Sequence, residues 1–162
     1  MILIALGANV PSRVGAPEQT IAAAHAELAR CGAPPDIVSP LYRNPAWPDP
    51  TDPPFVNAVA SLDTARDPES LMALLHELEQ AFGRVRLQAN APRTLDLDLL
   101  DYHGLVQAGP PVLPHPRMSD RAFVLQPLAD IAPCWRHPVS GQSVAALLAA
   151  LPAGARSLSK LG

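Results

Sequence analysis

The 162 residues are 48% apolar and only 17% charged, which excludes a disordered chain and describes one globular domain over residues 1–162 with a core that needs no staples. A formal net charge of −3 excludes any general attraction to nucleic acid or to an anionic membrane surface, so a polyanion site must be local. Cys31 and Cys134 lie far apart with no C-x-x-C spacing, and no run approaches the roughly 18 apolar residues of a membrane span; a cytoplasmic location with reduced thiols is expected.

Met1–Leu6 is too short and lacks the basic flank for a signal-peptide core. Within it, Ile2–Leu6 reads as a buried strand entering a turn at Gly7-Ala8-Asn9. Pro17 and Glu18 open a helix with Ile21, Ala24 and Leu28 on one stripe and Gly32 just past its end. Ile37–Arg43 is predicted as a second strand that Pro40 confines to an edge or bulge. Asn44–Pro54, with five prolines around Trp47, is a stiff loop. Phe55–Asp63 alternates, placing Val56, Ala58, Ala60 and Leu62 on one face and Phe55, Asn57, Val59 and Ser61 on the other. Asp67 caps the next helix, Leu71, Leu74, Leu75, Leu78 and Phe82 form its stripe, and Gly83 ends it. After Tyr102-His103-Gly104 comes a proline-punctuated segment, then an apolar run at Ala122–Leu128 and a small helix at Val144–Leu151. The order strand, helix, strand, strand, helix, strand is the α+β, ferredoxin-like βαββαβ sandwich. It puts both helices on one face of an antiparallel sheet, leaves the other face open, and here carries extra C-terminal elements.

The fourth strand, Leu95-Asp96-Leu97-Asp98-Leu99, turns its leucines to one face and both carboxylates to the other. Asp is a poor strand former and neighbouring carboxylates repel, so the pair calls for a cation. A merely wet acidic face would account for a lone D-x-D. Arg93 just upstream, with Arg84 and Arg86 ten residues back, points instead to phosphate bound with a divalent ion such as Mg²⁺. Glu79 lies on or beside the apolar helix stripe and needs a partner, which one of these arginines can supply. His115, Arg117 and Arg121 form a possible second phosphate-gripping cluster. No G-x-x-x-x-G-K-[ST] loop is present, so phosphate handling must rest on metal and arginine. On the open sheet face Phe55 and Asn57 join Asp96 and Asp98, setting an aromatic ring and an amide beside two acids.

These residues resemble the 6-hydroxymethyl-7,8-dihydropterin pyrophosphokinase family. Ala91-Pro92-Arg93-Thr94-Leu95-Asp96-Leu97-Asp98-Leu99-Leu100 is similar to its signature, and Leu6-Gly7-Ala8-Asn9, Leu41-Tyr42-Arg43-Asn44-Pro45, Phe55-Val56-Asn57-Ala58-Val59, Gly83-Arg84-Val85-Arg86 and the run from Pro114 to Leu125 follow in the family's order. The resemblance covers about Ile2 to Pro133. It implies transfer of the β,γ-pyrophosphate of ATP to the pterin hydroxymethyl group with release of AMP, in folate biosynthesis. It further implies two Mg²⁺ ions on Asp96 and Asp98, and a pterin held by Phe55 and Phe123 with Asn57 and the backbone at Asn44 and Ala46. ATP is expected to contact Glu79, Arg84, Arg93, Leu99, His115 and Arg121, with Arg84 and Arg93 assisting the transfer. The partners expected are the two small-molecule substrates, ATP and hydroxymethyl-dihydropterin, with no nucleic acid or membrane, and a monomer is expected. The chain has Asn90-Ala91-Pro92-Arg93 where the family often has Trp-Gly-Pro-Arg, and Pro116 where a Tyr often follows the His. Two other readings of the same residues are a non-catalytic nucleotide- or pterin-sensing domain and a metal-dependent phosphotransferase acting on another alcohol. Asp96, Asp98, Arg84 and Arg93 favour catalysis, while Phe55, Asn57 and Phe123 favour a flat heterocycle over a sugar.

Overall fold

The computed structural model describes residues 1–46, 49–84 and 93–161. Trp47, Arg86 and the Asn90-Ala91-Pro92 segment singled out above lie outside the described residues. Strand β1 (Ile2–Ala8) is buried almost throughout and sits inside the sheet, paired antiparallel with β4 (Phe55–Leu62) on one side and β5 (Asp96–Tyr102) on the other. Beyond β4 come β2 (Pro35–Val38), β3 (Tyr42–Asn44) and, on β3, the short β6 (Ser159–Lys160). Residues 37–43 are therefore two strands rather than the one predicted. Pro40 has no N–H to give a ladder, and Ser39 bridges the interruption: its N–H donates to the Val59 carbonyl (2.9 Å) and its hydroxyl accepts from Val59 N (3.0 Å).

Helices α1 (Pro17–Arg30) and α2 (Pro68–Ala81) cover one face. Asp67 caps α2 by accepting from Ser70 N at 2.7 Å, while α1 is closed at its start by Gln19 Oε1 accepting from Ala16 N. Gly32 and Gly83 follow the two helices at φ +77° and +86°, a region that glycine enters without a Cβ penalty. Against these helices pack Ile4 and Leu6 of β1, Ala58 and Ala60 of β4, and the leucines of β5, as the alternation predicts.

The opposite face is not open along its whole length. Helices α3 (Ala122–Ile131) and α4 (Val144–Ala150) lie on it, and Leu3, Val59 and Leu100 pack there with Val124, Leu125, Leu128 and Leu147. The extra C-terminal elements thus build a second core, leaving uncovered the end of the sheet that carries Phe55, Asp96 and Asp98. Two details position this layer. The β1–β5 register slips between Leu3 and Ile4, leaving Leu100 without a partner across the ladder. Beyond that bulge Asp101 faces the second core, where it accepts from Trp135 Nε1 at 2.8 Å. Tyr42 Oη donates to Asp130 Oδ2 at 2.6 Å, tying β3 to α3; burial, with the Asp130 carboxylate, pushes the phenol up to about 12.

Candidate active site

Strand β5 begins at the uncovered end, so Asp96 and Asp98 project there while Leu95, Leu97 and Leu99 anchor the strand in the first core. Both carboxylates are partly exposed, and each meets cations delivered by a different segment. Arg84 leaves α2 through Gly83, and its Nη1 donates to both Glu79 Oε1 and Asp96 Oδ1. Glu79 Oε1 also accepts from Leu97 N at 2.9 Å. Glu79 is 1% exposed, so the expected arginine partner is present, and the same carboxylate fixes the strand between the two aspartates. Arg93 Nη1 donates to Asp96 Oδ2 at 2.6 Å.

A residue that the sequence pattern showed only as part of a turn holds Arg93 in place. Asn9, 3% exposed, accepts from Arg93 N through Oδ1 at 2.7 Å, and its own N–H donates to the Arg93 carbonyl at 3.0 Å. Its Nδ2 donates to the Pro53 carbonyl, so one amide joins the end of β1, the arginine segment and the proline-rich loop. In the sequence it stood out only through the Leu6-Gly7-Ala8-Asn9 turn and that segment's resemblance to the family, and neither pointed to Arg93.

Asp98 meets Arg121 Nη1 at 3.2 Å and His115 Nε2 at 3.8 Å. The His115 backbone N–H donates to the Leu100 carbonyl, and its Nδ1 accepts from Arg117 N at 3.1 Å. That acceptor role leaves the proton of a neutral ring on Nε2, facing Asp98. Burial is the main cause lowering the His115 pKa; Asp98 opposes it, and Arg121 and Arg117 reinforce it. The Arg121 guanidinium is lowered too, by burial first, with Asp98 opposing.

Beside this charged patch is a cleft of about 460 Å³ lined by Phe55, Phe123, Asn57, Asn44 and Gly7, among others. Asn57 is buried and its Nδ2 donates to Asn44 Oδ1, which orients the amide by a defined bond. Arg121 stacks 5.5 Å from the Phe123 ring centroid. A Cβ added at Gly7 would lie 3.0 Å from Asn57 Oδ1, so the absent side chain keeps this wall flat. Ala46 is buried and is not among the residues lining the cleft. On the far side of Asp98, Leu99, Met72, Pro111, Val112 and His115 line a third hollow of about 480 Å³. The charged patch between them is itself a cavity walled by Glu79, Arg84, Arg93, Asp96, Asp98 and Arg121. Twelve of the thirteen residues expected to form a site therefore line one run of three compartments: a ring-sized slot, an acid–arginine trough and a mostly apolar hollow.

The two aspartates offer hard oxygen donors on one strand face, a donor set suited to Mg²⁺. Among the described residues no group of three or more His, Cys, Asp or Glu could hold an ion, so a cation here has to complete its shell with water and ligand oxygens. That is how Mg²⁺ is usually held when it accompanies phosphate.

The molecule is thus an α+β sandwich with an aromatic-lined slot and an acid–arginine trough side by side at one sheet end. Residues 3–133 match the family model described as 7,8-dihydro-6-hydroxymethylpterin-pyrophosphokinase (HPPK), and the chain belongs to that family. The 2-amino-4-hydroxy-6-hydroxymethyldihydropteridine pyrophosphokinase of Synechocystis sp. is 38% identical over 152 residues, spanning 90% of this chain and 73% of that protein. The Pseudomonas aeruginosa protein of the same name is 46% identical over 116 residues, covering 71% of each. The crystal structure of Plasmodium falciparum HPPK-DHPS wild type superposes with a TM-score of 0.67 at 12% identity, over 91% of this chain and 44% of that one, a likeness of fold.

Proposed function

We propose that this chain transfers the terminal diphosphoryl group of ATP to the hydroxymethyl oxygen of 6-hydroxymethyl-7,8-dihydropterin, the pyrophosphokinase step of folate biosynthesis. The observation that carries this reading is the continuity of the three compartments, in which Arg93, Asp96 and Arg121 line both the ring slot and the trough. The pterin lies in the slot between Phe55 and Phe123, its amide edge read by Asn57 and by the backbone at Asn44. The nucleoside lies toward Leu99 and His115, and the triphosphate crosses the trough.

In the transfer the substrate hydroxyl oxygen bonds to the β-phosphorus and the bond from that phosphorus to the α,β-bridging oxygen breaks. AMP leaves with the electron pair, and the hydroxyl proton goes to solvent. Arg84 and Arg93 turn only Nη1 toward Asp96, and a guanidinium carries five N–H donors, so each fork keeps donors for phosphate oxygens. Arg121 and His115 grip the phosphates from the other side, and Glu79 keeps Arg84 on station. Asp96 and Asp98 would hold two Mg²⁺ ions, which would supply positive charge to neutralise the phosphates and the charge that develops in the transfer. The two aromatic rings suit stacking on a flat heterocycle. Among the described residues no helix is long and apolar enough to cross a membrane. A cytoplasmic location and a monomeric state belong to the same proposal.

The test is a nucleotide product assay with the full chain, ATP, Mg²⁺ and the hydroxymethyl-dihydropterin. AMP is expected to appear in step with the pterin pyrophosphate and only when the pterin is present. Formation of ADP would indicate a simple phosphotransferase, and binding without turnover would indicate a sensor.

A further inference from the structure

Four arginines of the described residues face the trough: Arg84, Arg93, Arg117 and Arg121. Three are matched to carboxylates, Arg84 and Arg93 to Asp96 and Arg121 to Asp98. Arg117 has no ion pair among the described residues, and its side chain is exposed. Its backbone is nonetheless fixed. Arg117 N donates to His115 Nδ1, its carbonyl accepts from Asp120 N at 3.4 Å, and the next residue, Met118, is completely buried in the second core. The guanidinium is thus a free cation on an anchored stalk.

It stands beside two other basic residues: Arg117 lines the trough with Arg121, and its backbone N–H is bonded to His115 Nδ1, so an anion entering there meets several donors together. Position decides which anion. Arg117 lines the ring slot with Phe55, Asn57 and Phe123, and it also lines the trough. It does not line the hollow around Leu99 and Val112. On the transfer reading given above, the group lying at the slot–trough junction is the diphosphoryl unit as it becomes joined to the pterin, while the α-phosphate stays with the nucleoside beyond Asp98.

Resting on that reading, we propose that Arg117 is a further substrate-binding residue, which grips the transferred diphosphoryl group and so recognises the pterin pyrophosphate ester rather than AMP. A guanidinium fork suits this role because it can meet oxygens of two adjacent phosphates.

Calorimetric titration of the full-length wild-type, Arg117→Ala and Arg117→Lys proteins tests it with three probes: the pterin pyrophosphate ester, the parent hydroxymethyl-dihydropterin and AMP. Arg117→Ala is expected to weaken the ester about tenfold, equivalent to about 1.4 kcal/mol, and to leave the other two probes within about twofold. Arg117→Lys restores part of the loss, since it keeps the charge without the fork. An ester affinity unchanged by Arg117→Ala, or a loss equally large for AMP or for the parent alcohol, would overturn the proposal. A wild-type protein that makes ADP, or that binds no ester, fails the transfer reading itself. A wild-type protein that makes AMP while Arg117→Ala binds the ester normally fails only the assignment of Arg117.

Discussion

The acid–arginine contacts have different weights for folding and for chemistry, and Asp98 separates the two. Its carboxylate is partly exposed, 3.2 Å from Arg121 and 3.8 Å from His115, and exposed pairs of this kind contribute about 0–1 kcal/mol to stability. As a proposed metal and phosphate organiser it matters far more, since a lost metal ligand removes charge stabilisation made in the transition state. Asp98→Ala should therefore lower kcat/KM by several orders of magnitude while the melting temperature moves by only a few degrees. An activity loss below about tenfold would show that the metal assignment is wrong. The identities of these groups were legible in the sequence because Asp96 and Asp98 share a face by the two-residue period of a strand. Their pairings were legible only in part. Arg93 and Asp96 are three residues apart, but that Arg84 also meets Asp96, and Arg121 meets Asp98, depends on where the end of α2 and the start of α3 come to β5. Asn9 was hidden for the same reason, since its partners at Arg93 and Pro53 are 84 and 44 residues away.

Elements with a clean period were readable, and those shaped by tertiary contact were not. The alternation of β4 and the stripe of α2 both lead to the core that they in fact build. Residues 122–128 are nearly all apolar, with Pro127 inside, so they show no face, and nothing local indicated that α3 and α4 would cover part of the second sheet face. The bulge at Leu100 was equally silent, because two adjacent leucines fit either register. One residue of α1 has a measurable consequence. The Nε2 of His25 is buried without a hydrogen-bond partner among the described residues, and burial lowers the pKa of the ring. A histidine whose folded pKa is depressed binds fewer protons folded than unfolded, so stability rises with pH through that window. The penalty is absent above the unfolded value near 6.5 and grows as the pH falls below it, levelling once the folded ring also protonates. Urea unfolding should show a midpoint that falls between pH 7.5 and 5.5, and His25→Leu should flatten part of that fall; His115, lowered in the same direction, keeps the rest. An identical pH slope in the variant would count against the buried-imidazole account.

The three compartments draw their walls from β1, β4, β5, α2 and the segment leading into α3, which belong to both cores. A ligand spanning them is therefore linked to the folding of the entire sheet and not to one loop, and it stabilises the native state according to its free concentration over Kd. At a hundredfold excess over Kd the gain is about 2.7 kcal/mol, which for a chain of this length corresponds to a rise of about 5–10 °C in melting temperature. The trough makes this rise depend on the divalent ion. Without the ion, four phosphate charges meet Asp96 and Asp98 directly, and repulsion offsets much of what the arginines and the apolar hollow contribute. Thermal melts of the wild-type protein should accordingly show a large shift with ATP plus Mg²⁺ and a much smaller one with ATP plus EDTA. In the double variant Asp96→Asn, Asp98→Asn the repulsion and the ion's anchor vanish together, so the two shifts should converge, with ATP alone stabilising the variant more than it stabilises the wild type. Equal shifts with and without EDTA in the wild type would remove the divalent ion from the trough, whereas a persistent gap in the double variant would move the ion to other ligands.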